Sequence, residues 1–180
     1  MAAGRALDLP YRPCVGIMLI NRAGQVWVGQ RRPKWADAHS LAFWQMPQGG
    51  IAPGEPALSA ALRELEEETG VRSVEVIAEV PGWLSYDLPE ELIGVALKGR
   101  YRGQRQRWFA MRFLGTDAEI DIRPRHGHKA EFDAWRWATA HDLVTLIVPF
   151  KRRIYQDVVA TFAPHLGAAS PACALDAKSG

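Results

Sequence analysis

Apolar residues fill Cys14-Val-Gly-Ile-Met-Leu-Ile20 almost without a break, the pattern of a strand buried on both faces. Asn21-Arg-Ala-Gly24 supplies turn chemistry, and Gln25-Val-Trp-Val-Gly29 returns as the second strand of a hairpin. Val74–Val80 and Arg107–Leu114 predict further strands. Phe132–Trp137 alternates with period two, which predicts a strand with Phe132 and Ala134 on one face and Trp135 and Trp137 on the other. Between these segments the period changes. Leu58, Ala61, Leu62 and Leu65 recur at i, i+3, i+4 and i+7, predicting a helix that turns this stripe to the core. Pro56 suits its first position and Gly70 its stop. A second helix is predicted from about Lys151 to Phe162, with Ile154, Tyr155, Val158, Val159 and Phe162 on one side. Strands before and after a helix, closed by a terminal helix, predict one α/β layered domain over residues 1–166. Residues 32–42 read as a loop, and residues 167–180 lack periodicity and read as a disordered tail.

The polar side of the first helix carries the candidate chemistry. Glu64, Glu67 and Glu68 share a face, which the helical wheel sets opposite the leucine stripe. Like charges at this spacing cost about 0.2–0.5 kcal/mol per pair. A hard divalent cation such as Mg²⁺, which takes oxygen ligands and keeps waters for a substrate phosphate, turns that cost into a site. Taken alone, Glu-x-x-Glu-Glu equally describes a solvated acidic face. The run before it, Gln48-Gly-Gly-Ile-Ala-Pro-Gly-Glu55, is a glycine-rich turn that lets backbone approach a ligand.

Composition narrows the class. The 180 residues are 48% hydrophobic, enough for a core, and no apolar run reaches the ~18 residues of a membrane span. The N-terminal residues lack the apolar core of a signal peptide, and Cys14 and Cys173 lack metal or redox spacing. A reducing cytoplasm is the expected compartment, with Cys14 a small core residue. A net charge of +2 excludes a generic polyanion binder. Of the 22 basic residues, 17 are Arg, which reflects either codon bias or phosphate binding, so each arginine is argued by position. There is no Gly-x-Ser-x-Gly elbow, no Gly-x-x-x-x-Gly-Lys-Ser/Thr loop, and no ligand pattern shared by the five histidines.

Gly49, Glu55, Arg63-Glu64, Leu65, Glu67-Glu68, Gly70 and Val71 stand at fixed distances, and together they resemble a complete Nudix box. The resemblance implies an α/β fold of the Nudix type, an α/β/α sandwich with a central mixed sheet, and hydrolysis of a nucleoside diphosphate linked to another group. It implies Mg²⁺ or Mn²⁺ held by Glu64, Glu67 and Glu68 with the carbonyl of Gly49. By the same comparison Arg63 orients a glutamate and Glu55 fixes the loop.

The outer segments resemble, in order, the bacterial RNA pyrophosphohydrolase and diadenosine polyphosphate hydrolase group. They are Tyr11-Arg-Pro13, Trp44–Gly50, Trp83–Tyr86, Gly103-Gln104 with Trp108-Phe109, Glu131–Trp137 and Val148–Arg152. This resemblance implies that Glu131 joins the metal cluster, that Arg12 and Arg31 meet the 5′ phosphates and first base, that Phe150 stacks on a base, and that Tyr86 contacts substrate. Lys151, Arg152 and Arg153 oppose the macrodipole at a helix start, which is explained by a nearby anion or by side chains reaching into solvent; Lys151 is the one expected to touch substrate. The loop 32–42 is longer than in the best-known members of the group, a departure that bears on the preferred substrate. The expected reaction is metal-assisted removal of pyrophosphate from 5′-triphosphorylated RNA, with Glu64 or Glu131 as the general base. Asymmetric hydrolysis of diadenosine polyphosphates is the alternative, and a non-catalytic nucleotide sensor the third reading.

Overall fold

A computed structural model of the chain describes residues 8–31, 43–124, 127 and 129–167. The expected loop 32–42 lies outside the described residues, as do His126, His128 and all of the expected tail beyond Gly167.

The strands are β1 (Tyr11–Ile20), β2 (Val26–Arg31), β3 (Phe43–Gln45), β4 (Gln48–Gly50), β5 (Val74–Glu79), β6 (Leu84–Asp87), β7 (Gly103–Phe113) and β8 (Ala134–Ala138). The helices are α1 (Ala57–Thr69), α2 (Ala140–Leu146) and α3 (Arg152–Phe162). All eight strands join one sheet with the spine β3-β2-β1-β7-β5; β4 pairs with β1, β6 with β7, and β8 with β2. The sheet is mixed, because β1 and β7 run parallel and the other pairs are antiparallel.

Alternation along the strands builds two apolar layers. Val15, Ile17, Leu19, Trp27, Phe109 and Met111 pack against Ala60, Ala61 and Leu65 of α1. Met18, Val26, Val28, Trp108 and Ala110 pack on the other face against Leu143, Ile154, Tyr155, Val158 and Phe162. The predicted apolar side of the terminal helix is therefore observed, with α3 starting at Arg152 and Lys151 in a preceding 3-10 turn, Pro149–Lys151. Cys14 is buried and free, as expected.

The sheet is split, and the split positions the site. β1 and β2 pair only where Ile20 meets Val26. Beyond that point β1 takes β4 as its neighbour, while β2 takes β3 and β8. The chain from Met46 to Gly50 crosses the gap, anchored where the Met46 N–H donates to the buried Tyr155 hydroxyl at 2.9 Å.

Three expectations are corrected. The face of α1 turned inward is Ala60, Ala61, Leu65, Thr69 and Glu68, whereas Leu58 and Leu62 are each 40% exposed. The helix lies over the glycine backbone of β4, which admits small alanines and a hydrogen-bonded carboxylate, and the bulkier leucines are left on its flank. Pro56 is the N-cap and not the first helical residue: its ψ is 140°, and its carbonyl accepts the Ala60 N–H at 3.0 Å. Phe132 does not share a face with Ala134. β8 begins only at Ala134, and the Phe132 ring packs edge-on to Trp27 at 5.2 Å, in the same layer as Trp135 and Trp137. Gly70 ends α1 as predicted, with φ 75° and its N–H donating to the Glu66 carbonyl at 2.8 Å.

Candidate active site

The turn before α1 is built by its own side chains. Glu55 accepts from the Ala52 N–H at 2.9 Å and takes two Arg63 nitrogens, Nε at 2.8 Å and Nη2 at 2.9 Å. Arg63 also donates to the Gly50 carbonyl at 2.9 Å and to Glu64 at 2.8 Å. A planar fork with four acceptors fixes loop, strand and helix together. The paired guanidinium holds the Glu55 carboxyl down at about 2. The geometry is that of an arginine orienting a glutamate.

Gly49 is glycine because of Glu64. A Cβ there would stand 1.9 Å from the Glu64 carboxyl carbon. Since that atom is the far end of a flexible side chain, Gly49→Ala should spare the fold but swing Glu64 away. The expected result is a melting temperature within a few degrees of wild type with much weaker Mn²⁺ binding by calorimetry; unchanged Mn²⁺ binding would remove Glu64 and Gly49 from the metal site. Gly50 does the same for Arg12, whose Nη2 lies 2.5 Å from where a Cβ would be.

Glu68 is the most constrained acid. It is 9% exposed, and its one hydrogen bond among the described residues is from the Gln48 backbone N–H at 3.1 Å. Burial, then the negative charges of Glu64 and Glu131, push its carboxyl well above the usual range, against the pull of Gln48 and Arg31. Glu64 is raised too, by burial first, with Arg63 opposing. Glu67 is more exposed and only 3.4 Å from Arg63. Glu131 pairs with Arg31 at 2.8 Å.

The cations arrive through the split. Arg31 on β2 and Lys151 before α3 both sense the Glu68 charge. Lys151 is 7% exposed, with its Nζ 5.4 Å from the Tyr86 ring centroid. Burial and then Arg31 push its ammonium down to about 7. Tyr86 is itself buried, 5.6 Å from the half-buried Phe150 ring. Arg152 and Arg153, by contrast, are exposed.

The structure thus brings Gly49, Arg63, Glu64, Glu67, Glu68, Glu131, Arg12, Arg31, Tyr86, Phe150 and Lys151 to one region. Among the described residues no three acidic, histidine or cysteine side chains form a closed metal cage; Glu64 and Glu131 are paired with arginines. The donors nevertheless suit a hard cation: oxygen ligands only, a buried carboxylate without a cationic hydrogen-bond partner, and a glycine whose missing side chain leaves room for a second carboxylate. Sequence reasoning missed Gln48, whose backbone holds Glu68, and Gly50, which anchors Arg63. Neither carries a distinguishing side-chain signal.

The fold and this acidic edge define a class. A model of the NUDIX domain matches residues 10–158, and the chain belongs to that family, whose hydrolases generally use divalent metal ions. Among curated relatives, an RNA pyrophosphohydrolase of Rhizobium meliloti (strain 1021) is 58% identical over 164 residues, covering 89% of this chain and 98% of that protein. One of Rhodopseudomonas palustris (strain HaA2) is 60% identical over 155 residues, covering 86% and 93%. Among solved structures, a dihydroneopterin triphosphate pyrophosphohydrolase of E. coli (TM-score 0.61, 20% identical, 84% of this chain and 99% of that one) shares the fold. So does an Ap4A hydrolase binary complex of C. elegans (TM-score 0.58, 16% identical, 85% and 98%). No helix among the described residues is long and apolar enough to cross a membrane.

Proposed function

We propose that this chain removes pyrophosphate from the 5′-triphosphate end of cytoplasmic RNA, leaving a 5′-monophosphate. The observation that carries the reading is the meeting, at the sheet split, of a buried carboxylate edge with three cations, beside an aromatic pair. The names of the relatives at 58–60% identity support it.

In this reading Glu64, Glu67, Glu68, Glu131 and the Gly49 carbonyl hold Mg²⁺, for which Mn²⁺ can substitute. When bound, such ions supply Lewis acidity toward phosphate oxygens and lower the pKa of water. The chain's own residues do the rest. Arg63 keeps Glu64 aimed across Gly49. Glu64 or Glu131 accepts the proton of the attacking water. Arg12, Arg31 and Lys151 bind the phosphates and offset their charge. Phe150 beside Tyr86 offers a stacking surface, worth about 1–3 kcal/mol per base.

The test is competition. Triphosphorylated RNA and diadenosine tetraphosphate are offered together, and kcat/KM is measured for each. RNA is expected to win, and a clear preference for the dinucleotide would replace RNA as the main substrate. Phe150→Ala should lower RNA turnover far more than Mn²⁺ binding; equal losses would make Phe150 a packing residue.

A further inference from the structure

Trp108, Gln106 and Gln104 alternate along β7 and face the α3 layer. The Trp108 indole N–H donates to Gln106 Oε1 at 2.9 Å, and Gln106 Nε2 donates to Gln104 Oε1 at 2.9 Å. An indole nitrogen can only donate. It therefore fixes Gln106 with its oxygen toward Trp108 and its NH₂ toward Gln104. Gln104 in turn must keep its oxygen inward and its NH₂ outward. The direction of the relay does not depend on which amide atom is drawn as nitrogen, because Trp108 sets it.

Trp108 cannot turn to undo this. It is fully buried and meets Tyr155 edge-on at 5.8 Å. Its ring also fills the space above Gly16, where a Cβ would stand 2.4 Å away.

The outer end of the relay opens on the site. Gln104 stands in register between Arg12 on β1 and Tyr86 on β6, on the face where Phe150 and Lys151 cover Tyr86. Gln104 is 5% exposed, and its NH₂, which has no protein partner among the described residues, is not one of the sealed, unpaired buried atoms but reaches the open side of the site. A donor of fixed polarity at the mouth of the site can exchange its water for an acceptor on a bound ligand.

We propose that the Gln104 amide is a donor-only contact to an acceptor on the base edge of the nucleotide that stacks beside Tyr86 and Phe150. Gln106 and Trp108 are positioning residues that hold its polarity. The phosphates are served by Arg12, Arg31 and Lys151, whereas a neutral NH₂ suits a carbonyl oxygen or ring nitrogen. The inference rests on the proposed reading of the site as one for nucleoside 5′-phosphates.

The test uses 5′-triphosphorylated RNAs with guanine or adenine at the first or second nucleotide. Guanine offers two acceptors on its major-groove edge, adenine one acceptor and one donor. Wild type should favour guanine at one of these positions by about tenfold in kcat/KM. Gln104→Met, of similar volume, should keep the melting temperature and bring that preference close to unity. Gln106→Glu touches no substrate, but its carboxylate accepts from both sides, so Gln104 must turn its NH₂ inward and its oxygen outward. The preference should then shift toward adenine, an effect that a merely structural residue would not produce. If Gln106→Glu does not fold, Gln106→Met, which unlocks Gln104, should erase the preference.

The proposal is overturned if wild type turns over all four RNAs equally, if Gln104→Met retains the wild-type preference, or if the variants lower every RNA by one factor. Absence of RNA turnover by wild type would instead refute the RNA reading. The same comparison then moves to diguanosine and diadenosine tetraphosphates, where equal turnover of the two by wild type overturns the proposal.

Discussion

Glu68→Gln should make the protein more stable in chelator and inactive with Mg²⁺. The wild-type carboxylate is buried, receives one backbone hydrogen bond, and lies within the fields of Glu64 and Glu131. A glutamine keeps the volume and still accepts from the Gln48 N–H, but removes the buried charge. Relief of about 1–3 kcal/mol is the expected scale at neutral pH. Differential scanning calorimetry in EDTA should therefore show a higher Tm for the variant. In saturating Mg²⁺ the order should reverse, because only wild type gains binding energy from the ion. Turnover should fall by more than the ~10–100-fold typical of residues that merely support a metal ligand. A variant that is less stable in EDTA, or that keeps turnover, would make Glu68 a structural acid.

Lys151→Met carries the second large effect, and its sign depends on pH. The folded-state value is about 7, against an ordinary 10.5, because burial and Arg31 disfavour the cation. Below pH 7 the lysine is charged in both folded and unfolded states, and the folded protein bears the full cost of burying it. Between about 7 and 10.5 the unfolded chain binds a proton that the folded one does not, so wild-type stability gains with rising pH. Lys151→Met should thus stabilise most below pH 7, by up to a few kcal/mol, with the advantage shrinking toward pH 10. Urea denaturation at pH 6, 8 and 10 checks this. The same variant should weaken substrate binding, visible as a raised KM. A destabilised variant at pH 6 would mean that the ammonium is satisfied in the fold.

Both predictions place function against stability in the same few residues, and the sequence disclosed only half of that conflict. The spacing of Gly49, Glu55, Arg63, Glu64, Glu67, Glu68 and Gly70 was fully legible, because these contacts are made within one continuous strand, loop and helix, residues 48–70. The Arg63 fork shows why such spacing is strict: Glu55 and Gly50 must both come within reach of one guanidinium. The strands in β1, β2 and β7 were legible from apolar runs, and α3 from its one-sided period. The short elements β3, β4 and α2 were not, since three to seven residues carry too little pattern to distinguish them from loops. The inward face of α1 was misread for a related reason. Periodicity allows two faces, one richer in leucine and one carrying both alanines, and the glycine backbone of β4 beneath the helix selects the second.

Local spacing along the chain is enough to specify the chemistry at hand: a carboxylate-bearing helix behind a glycine turn, in a layered α/β domain. That much follows from local spacing, because a helix fixes which residues share a face. The environment of those groups comes from the folded arrangement. Glu68 is buried because α1 rests on β4. Arg31 and Lys151 reach it because β1 and β2 part, letting segments from both sheet faces meet. Gln104 presents a donor because a tryptophan packed over Gly16 orders the amides behind it. Burial and charge are set by neighbours distant in the chain, and no local pattern records them.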